Sequence, residues 1–293
     1  MNIKRAVLSL VIFLLPSLAA AGDIALPQAL EARATVIRSD RDGLWEKTLI
    51  VQFPQRRRVL STNDGVIDVM AAANHAAHPL LWNRLEGTMK TDHEGGGKVY
   101  MRKIRERTAR ACGLRGEDVS LMGTAADMDN LAVVTKKHAP FIVTALVTAG
   151  AKGNAVRTGV DEGVHVEADP AFDQPAIPAA TPAATPGAHG PGTINIMVLT
   201  NARLTDGGMA RAVITATEAK TAALEDLHVP STYTKNVQAT GTGTDSMIVV
   251  SGTSGPRVTY PGGHSRIGEL MGKAVYEAVV EALGKQNGFK KKQ

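Results

Sequence analysis

The sequence predicts an α+β fold, a mixed β-sheet with helices packed on its faces, and three observations carry that expectation. Short β-branched runs bounded by turn residues crowd the first half of the chain. Long stretches of helical periodicity fill the second. Finally, Gly123-Thr124-Ala125-Ala126-Asp127 before Leu131–Val134 is echoed by Gly241-Thr242-Gly243-Thr244-Asp245 before Met247–Val250. The echo predicts a weak internal two-fold repeat, two helix-plus-strand halves packed face to face. A length of 293 residues suits one large domain.

The first 21 residues are not part of that fold. Lys4 and Arg5 precede an apolar run, Ala6 to Leu18, and Ala19-Ala20-Ala21 follow before Gly22. A charged start, a short greasy centre and small residues at the cut describe a secretory signal peptide, so the mature domain is expected at 22–293, periplasmic or secreted. The run contains Pro16 and falls short of the roughly 20 apolar residues that span a bilayer. No membrane span is expected after cleavage.

From Ala32 to Ser61 the chain reads as strands, with Asp40-Arg41-Asp42-Gly43 as a hairpin turn. Asn63 or Asp64 would cap a helix over Val66–His78, where Val66, Val69, Met70 and Ala73 recur at helical spacing ahead of Pro79. Lys98–Cys112 is a second amphipathic helix, with Val99, Ile104 and Ala111 inward. Val119–Met122, Leu131–Thr135 and Phe141–Thr148 are neighbouring strands. Residues 169–191 form a Pro/Ala-rich segment with no large apolar residue after Ile177, too little to offset the entropy of ordering it, and read as a flexible surface loop. Beyond it come a strand (Ile194–Thr200), a long Ala/Thr-rich helix (Met209–Leu227), a strand within Ala239–Ser251, and a helix over Gly268–Leu283. In that last helix Ile267, Leu270, Met271, Ala274, Val275, Ala278 and Val279 make one apolar stripe.

Composition excludes several function classes. The net charge is +5, and two of the positive charges lie in the leader. Arg56-Arg57-Arg58, the helix at Lys98–Arg110 and the lysine tail have no aromatic residues interleaved, so nucleic acid is not an expected partner. The single cysteine, Cys112, has no internal disulfide partner and no neighbouring His, and reads as a structural thiol. Nothing in the sequence fixes an oligomeric state. There is no Gly-x-Ser-x-Gly, no His-Glu-x-x-His, no paired Cys-x-x-Cys and no complete phosphate loop, so neither a metal nor a cofactor is expected.

Chemistry must therefore rest on polar residues lodged where apolar ones would be cheaper. Asn201 and Asp206 lie in Thr200–Gly208, which leaves a strand and opens a helix; its amides suit an oxyanion, while Asp206 serves equally as a cap. Glu218 sits in Thr217–Thr221, and burial there would raise its pKa toward that of a general base, whereas a solvent-facing Glu218 would do nothing. The two Gly/Thr/Asp turns place Asp127, Thr242 and Asp245 at strand edges, as functional groups or as ordinary turn chemistry. His75 and His78 share a face of the expected helix, without the further ligands a metal needs. His264 sits in Gly262–Arg266 at a helix entrance.

Taken together, Leu60–Asn63, Asn74-His75, Met122–Met128, Thr148–Gly159, Asn195–Leu224, Ala239–Val250 and Gly262–Glu269 resemble the adenosylcobinamide amidohydrolase family. The likeness covers most of the chain from about residue 58, and the run Asn195–Leu224 is its most specific part. It implies hydrolysis of the aminopropanol amide of (adenosyl)cobinamide to (adenosyl)cobyric acid in cobalamin salvage. Members of this family work in the cytoplasm, so the leader is a departure from it, as is the Pro/Ala-rich segment. Corrinoid met outside the cell need not carry its adenosyl group. On this reading Glu218 or His264 is the base, Asn201 and nearby amides hold the oxyanion, and Asp127 and Asp245 orient. Asn154, Arg157, Asp206, Thr242 and His75 bind substrate. The catalytic five are expected to meet in one pocket, and Glu218→Gln or His264→Ala to lower turnover by at least about 100-fold. The rival reading from another class is a periplasmic corrinoid-binding protein without the reaction.

Overall fold

The structure is a computed structural model that describes residues 21–41, 43–78, 80–81, 96–163 and 192–291. The expected leader, apart from Ala21, and the Pro/Ala-rich loop at 169–191 lie outside the described residues.

Strand β1 (Ala21–Ile24) pairs with β2 (Arg33–Arg41), which turns back into β3 (Leu44–Ser61) as the Asp40–Gly43 sequence predicts. Gly43 adopts φ +75°, and its amide donates to Asp40 Oδ1 at 2.8 Å. β3 is 18 residues long and bends once. Its register against β4 (Gly65–Ala77) shifts between Gln52 and Arg57, where Pro54 has no N–H to offer a ladder. Before the bend β3 pairs with β2 on one side, and after it the same side pairs with a strand from the far end of the chain, at Val59–Ser61.

The expected helix over Val66–His78 is a strand, β4, and Thr62–Asp64 form its hairpin turn instead of a helix cap. The physical reason is burial on both faces. Ala72, Asn74 and Ala76 face into the curl of the sheet, Ala71, Ala73 and His75 face a helix, and every side chain from Ala71 to Ala77 is buried. With no polar alternation to read, an alanine-rich strand imitates a helix. Here tertiary packing overrides the helix propensity of alanine.

That covering helix is α1 (Gly96–Ala111). Tyr100, Ile104, Thr108 and Ala109 form its buried stripe; Ala111, expected inward, is exposed. Cys112, at its end, is half-buried, and burial pushes its thiol above the ordinary value. Then follow β5 (Val119–Thr124), parallel to β4, β6 (Ala132–His138), β7 (Phe141–Ala149) and the short β8 (Ala155–Val156). β9 (Ile194–Thr200) and β10 (Arg203–Leu204) precede α2 (Asp206–Asp226). β11 (Gly241–Thr242), β12 (Ser246–Val250) and β13 (Arg257–Val258) precede α3 (Arg266–Asn287).

Nine strands join one sheet in the order β1-β2-β3-β12-β9-β7-β6, with β4 and β5 added along the other side of β3. The sheet curls so that its two halves face each other across an apolar interior. Alternation along β9 shows how: Ile194, Ile196 and Val198 pack under α2 and α3, while Met197 and Leu199 point into the curl with Leu49, Val51 and Met122. Thr205 Oγ1 accepts from Gly208 N to start α2, Ser265 Oγ accepts from Gly268 N to start α3, and the predicted stripe of α3 is buried throughout. The described residues therefore form an α+β fold with helices on both outer faces.

The expected two-fold repeat is not displayed. One echoed turn leads to β6, an edge strand antiparallel to β7; the other leads to β12, an interior strand parallel to β9. The likeness belongs to the turns alone.

Candidate active site

At one end of the curl, β4, β5 and β7 finish and β9 and β12 begin, and the interior changes from apolar to polar. Asn195 Nδ2 donates to Asn74 Oδ1 and to the Gly123 carbonyl, each at 2.8 Å. Asn74 Nδ2 donates to Thr148 Oγ1 at 2.9 Å, and that hydroxyl donates to Thr124 Oγ1 at 3.5 Å. These four side chains are buried, and a buried amide must be hydrogen-bonded or it destabilises the fold. Yet Asn195 Oδ1 has no donor, and neither has the buried Oδ1 of Asn154 nearby. No other buried side-chain acceptor among the described residues is left so.

Above this floor the short β8–β11 pair and the starts of β9 and β12 make a rim. Asp245 is its hub: Oδ1 accepts from Ile194 N at 3.1 Å and Thr242 Oγ1 at 2.5 Å, and Oδ2 accepts from Thr242 N at 3.2 Å and from Lys220 Nζ. Both side chains of the ion pair are largely buried, 10% exposed for Lys220 and 20% for Asp245. Gly241 leaves room for the pair, because a Cβ there would stand 2.5 Å from Asp245 Oδ2 and 2.6 Å from Lys220 Nζ and push one of them aside. Asn154 Nδ2 donates to Thr244 Oγ1 at 3.2 Å, which donates on to Thr193 Oγ1 at 2.9 Å. Arg157 is fixed at the same rim by its amide to Asp161 Oδ2 and its guanidinium to the Gln238 carbonyl. Asp127 sits at the neighbouring turn, where Oδ1 accepts from Lys47 Nζ at 2.7 Å and from Asp129 N at 2.9 Å.

The structure thus gathers Asp127, Asn154, Arg157, Thr242 and Asp245 at one end, but the five catalytic candidates do not meet in one pocket. Asn201 lies at the far end of β9, roughly 20 Å along a seven-residue strand. There its Oδ1 accepts from Ile142 N and its Nδ2 donates to the Pro140 carbonyl, both at 2.9 Å, which ties the side chain to the start of β7, away from Asp127 and Asp245. Asp206 is at that end too. Arg58 grips both its oxygens, at 2.7 and 2.8 Å, and this bonding holds the carboxyl below the usual range. Glu218 and His264 are exposed on the outer helical layer. Glu218 lines a shallow groove of about 460 Å³ between α2 and α3, with Gly263, Glu269 and Lys273 among its other walls. The burial expected of a general base at Glu218 is absent.

His75 is at the polar end but on the outer face of β4, under α1. Its Nδ1 meets Thr48 Oγ1 at 2.8 Å and its Nε2 meets Tyr100 OH at 2.9 Å, and Tyr100 donates to Glu46 Oε1 at 2.8 Å. Arg107 reaches Glu46 Oε2 at 2.8 Å. Burial raises the Glu46 carboxyl, but hydrogen bonds from Arg107 and Tyr100 more than offset it and leave the group below its ordinary value. Both His75 ring nitrogens are already engaged inside the fold, which does not suit a substrate contact. His78 packs edge-on against Trp45 and accepts from Leu80 N, so the two histidines share no helix face. No group of three or more His, Cys, Asp and Glu side chains that could hold a metal occurs among the described residues.

Sequence reasoning missed Asn195, Thr148 and Lys220. The first two had a signal, a polar side chain inside an otherwise apolar, β-branched strand. Lys220 had one as well, since it falls with Ala216 and Ala223 on the buried face of α2.

Residues 30–291 match the family described as adenosylcobinamide amidohydrolase. An uncharacterised protein of Methanocaldococcus jannaschii is 40% identical over 255 residues, 85% of this chain and 91% of that protein. The adenosylcobinamide amidohydrolase of Methanosarcina mazei is 35% identical over 101 residues, 31% of this chain and 46% of that enzyme. The crystal structure of the PH0078 protein from Pyrococcus horikoshii aligns at TM-score 0.35 and 12% identity, over 82% of this chain and 78% of that one. The chain belongs to the adenosylcobinamide amidohydrolase family.

Proposed function

We propose that this family member hydrolyses the amide joining aminopropanol to a corrinoid, converting cobinamide or adenosylcobinamide to the matching cobyric acid, and does so at the polar strand-end rim. The observation that carries the reading is the family match over residues 30–291, which runs through every segment that builds the rim. Amide hydrolysis needs water, a proton acceptor, donors for the oxyanion and a proton for the departing amine. Asp245 and Asp127 accept several hydrogen bonds each, which suits orienting carboxylates. Asn154 and Arg157 suit the amide side chains of a corrinoid.

Incubating the purified protein with cobinamide and with adenosylcobinamide, followed by assays for free aminopropanol and cobyric acid, tests the reading. Release from either substrate supports it; tight corrinoid binding without release supports a binding protein instead. The charged start and short apolar run within residues 1–21 support export as part of the same proposal. Mass spectrometry of the native protein should find a chain beginning near Gly22, and an intact Met1 would remove that part.

A further inference from the structure

Lys220 enters the rim on the buried face of α2, and its Nζ makes a single hydrogen bond among the described residues, to Asp245 Oδ2. An ammonium carries three protons, so two are unused at a position with only 10% of the side chain exposed. Buried donors and acceptors are rarely left so, and each unmade bond there destabilises the fold. At the same rim stands the complementary excess, the donorless Oδ1 of Asn154. The two are tied together: Asn154 precedes Ala155, which pairs with Thr242, whose hydroxyl holds the Asp245 that holds Lys220. Gly241 runs beside the ion pair, where any side chain would displace it. A secondary amide offers one acceptor, its carbonyl oxygen, and one donor, its N–H. The unused protons of the Lys220 ammonium match that carbonyl oxygen.

We propose that Lys220 is a catalytic residue of the amide hydrolysis, its ammonium receiving the carbonyl oxygen of the scissile amide. The inference rests on the functional reading above. When water adds to the carbonyl carbon, a C–O bond forms and the π pair moves to the oxygen, which becomes the oxyanion facing Lys220. Collapse restores the carbonyl and breaks the C–N bond, and the departing nitrogen takes up a proton that came from water. The products are a carboxylic acid and free aminopropanol. Fixed positive charge aimed where negative charge develops is worth more in the transition state than in the bound substrate, so its loss falls on kcat.

The test compares wild type, Lys220→Met, Lys220→Arg and the uncharged pair Lys220→Met/Asp245→Asn, with aminopropanol release from cobinamide and adenosylcobinamide as the assay. The double variant removes both charges together and keeps the test open if Lys220→Met alone does not fold. Lys220→Met and the double variant should lose about 10²- to 10³-fold in kcat with KM changed less than about threefold, and Lys220→Arg should recover part of the loss. A folded Lys220→Met or double variant with kcat within about threefold of wild type overturns the inference and leaves the reading of the protein as an amidohydrolase intact. So does a loss confined to KM, which would make Lys220 a binding group. A wild-type protein that releases no aminopropanol from either corrinoid removes the reading and the inference with it.

Discussion

The two ends of β9 are built from similar residues and differ in whether a buried side-chain acceptor is left without a donor. At the Thr200 end, Arg57 is a buried guanidinium whose donors go to the carbonyls of Ser251 (2.6 Å), Leu30 (3.0 Å) and Thr200 (3.4 Å). Asn201 uses both of its amide atoms, and Thr200 Oγ1 donates to the Ile142 carbonyl while accepting from Ala202 N. At the Asn195 end, Asn195 Oδ1 and Asn154 Oδ1 lack donors. A buried acceptor that has its donor inside the fold serves that fold. One left incomplete at the same depth weakens it, and its retention marks a place where something else completes the pairing.

The largest effect that would sharpen this contrast is expected from Arg57→Met. Three carbonyls lose their partner, partly offset by relief of a charge whose pKa burial already depresses, so stability should fall by about 3 kcal/mol while the folded protein keeps its turnover. Denaturant unfolding beside the aminopropanol assay measures both, and a collapse of turnover in folded Arg57→Met would erase the distinction between the ends. Next comes Glu46→Gln, expected to lower stability by about 2 kcal/mol at neutral pH, since it replaces a buried charged acceptor. The Glu46 carboxyl is depressed in the folded state, so its contribution is complete above the ordinary carboxylate range and is lost as pH falls through the lower folded value. Unfolding curves from pH 7 down to about pH 3 should therefore show a shallower acid decline in Glu46→Gln; equal slopes would mean that Glu46 does not titrate with folding.

Asn154→Ala removes one hydrogen bond within the fold and should change stability by less than about 1 kcal/mol, yet lower turnover about tenfold. Equal or larger damage to stability would class Asn154 with Asn201. The smallest effect is expected from Glu218→Gln, within about 0.5 kcal/mol in stability and about threefold in turnover, because the side chain is exposed on the helical layer. The hundredfold loss that the sequence motif suggests would move the chemistry from the strand-end rim to the groove between α2 and α3.

How much could be read beforehand follows from which residues alternate. α3 was plain because its stripe has a polar opposite face, and β9 because apolar and β-branched residues fill Ile194–Thr200 apart from Asn195. β4 was not, since its sheet position supplies two apolar environments and its alanines carry no period of two. Within the site, Asp127, Thr242 and Asp245 stood out because turn glycines flag them. Asn201 and Glu218 stood out for the same kind of reason, an unusual motif, although the fold puts them elsewhere. Local chemistry identifies polar residues out of place; it does not say which of two strand ends they occupy. That depends on pairing between strands far apart in sequence, such as Asn195 with Thr148 and Ser246.

The bend of β3 at Phe53–Arg56 bears on how the molecule comes into being. Its last residues, Val59–Ser61, wait for Ile248–Val250, about 190 positions later, so one edge of the first-made half stays open until synthesis is almost finished. The Arg33–Gln52 ladder forms early from a local hairpin, whereas the sheet becomes continuous late. A chain truncated before β12 should therefore carry an unprotected edge and self-associate, and the full chain should fold slowly for its size.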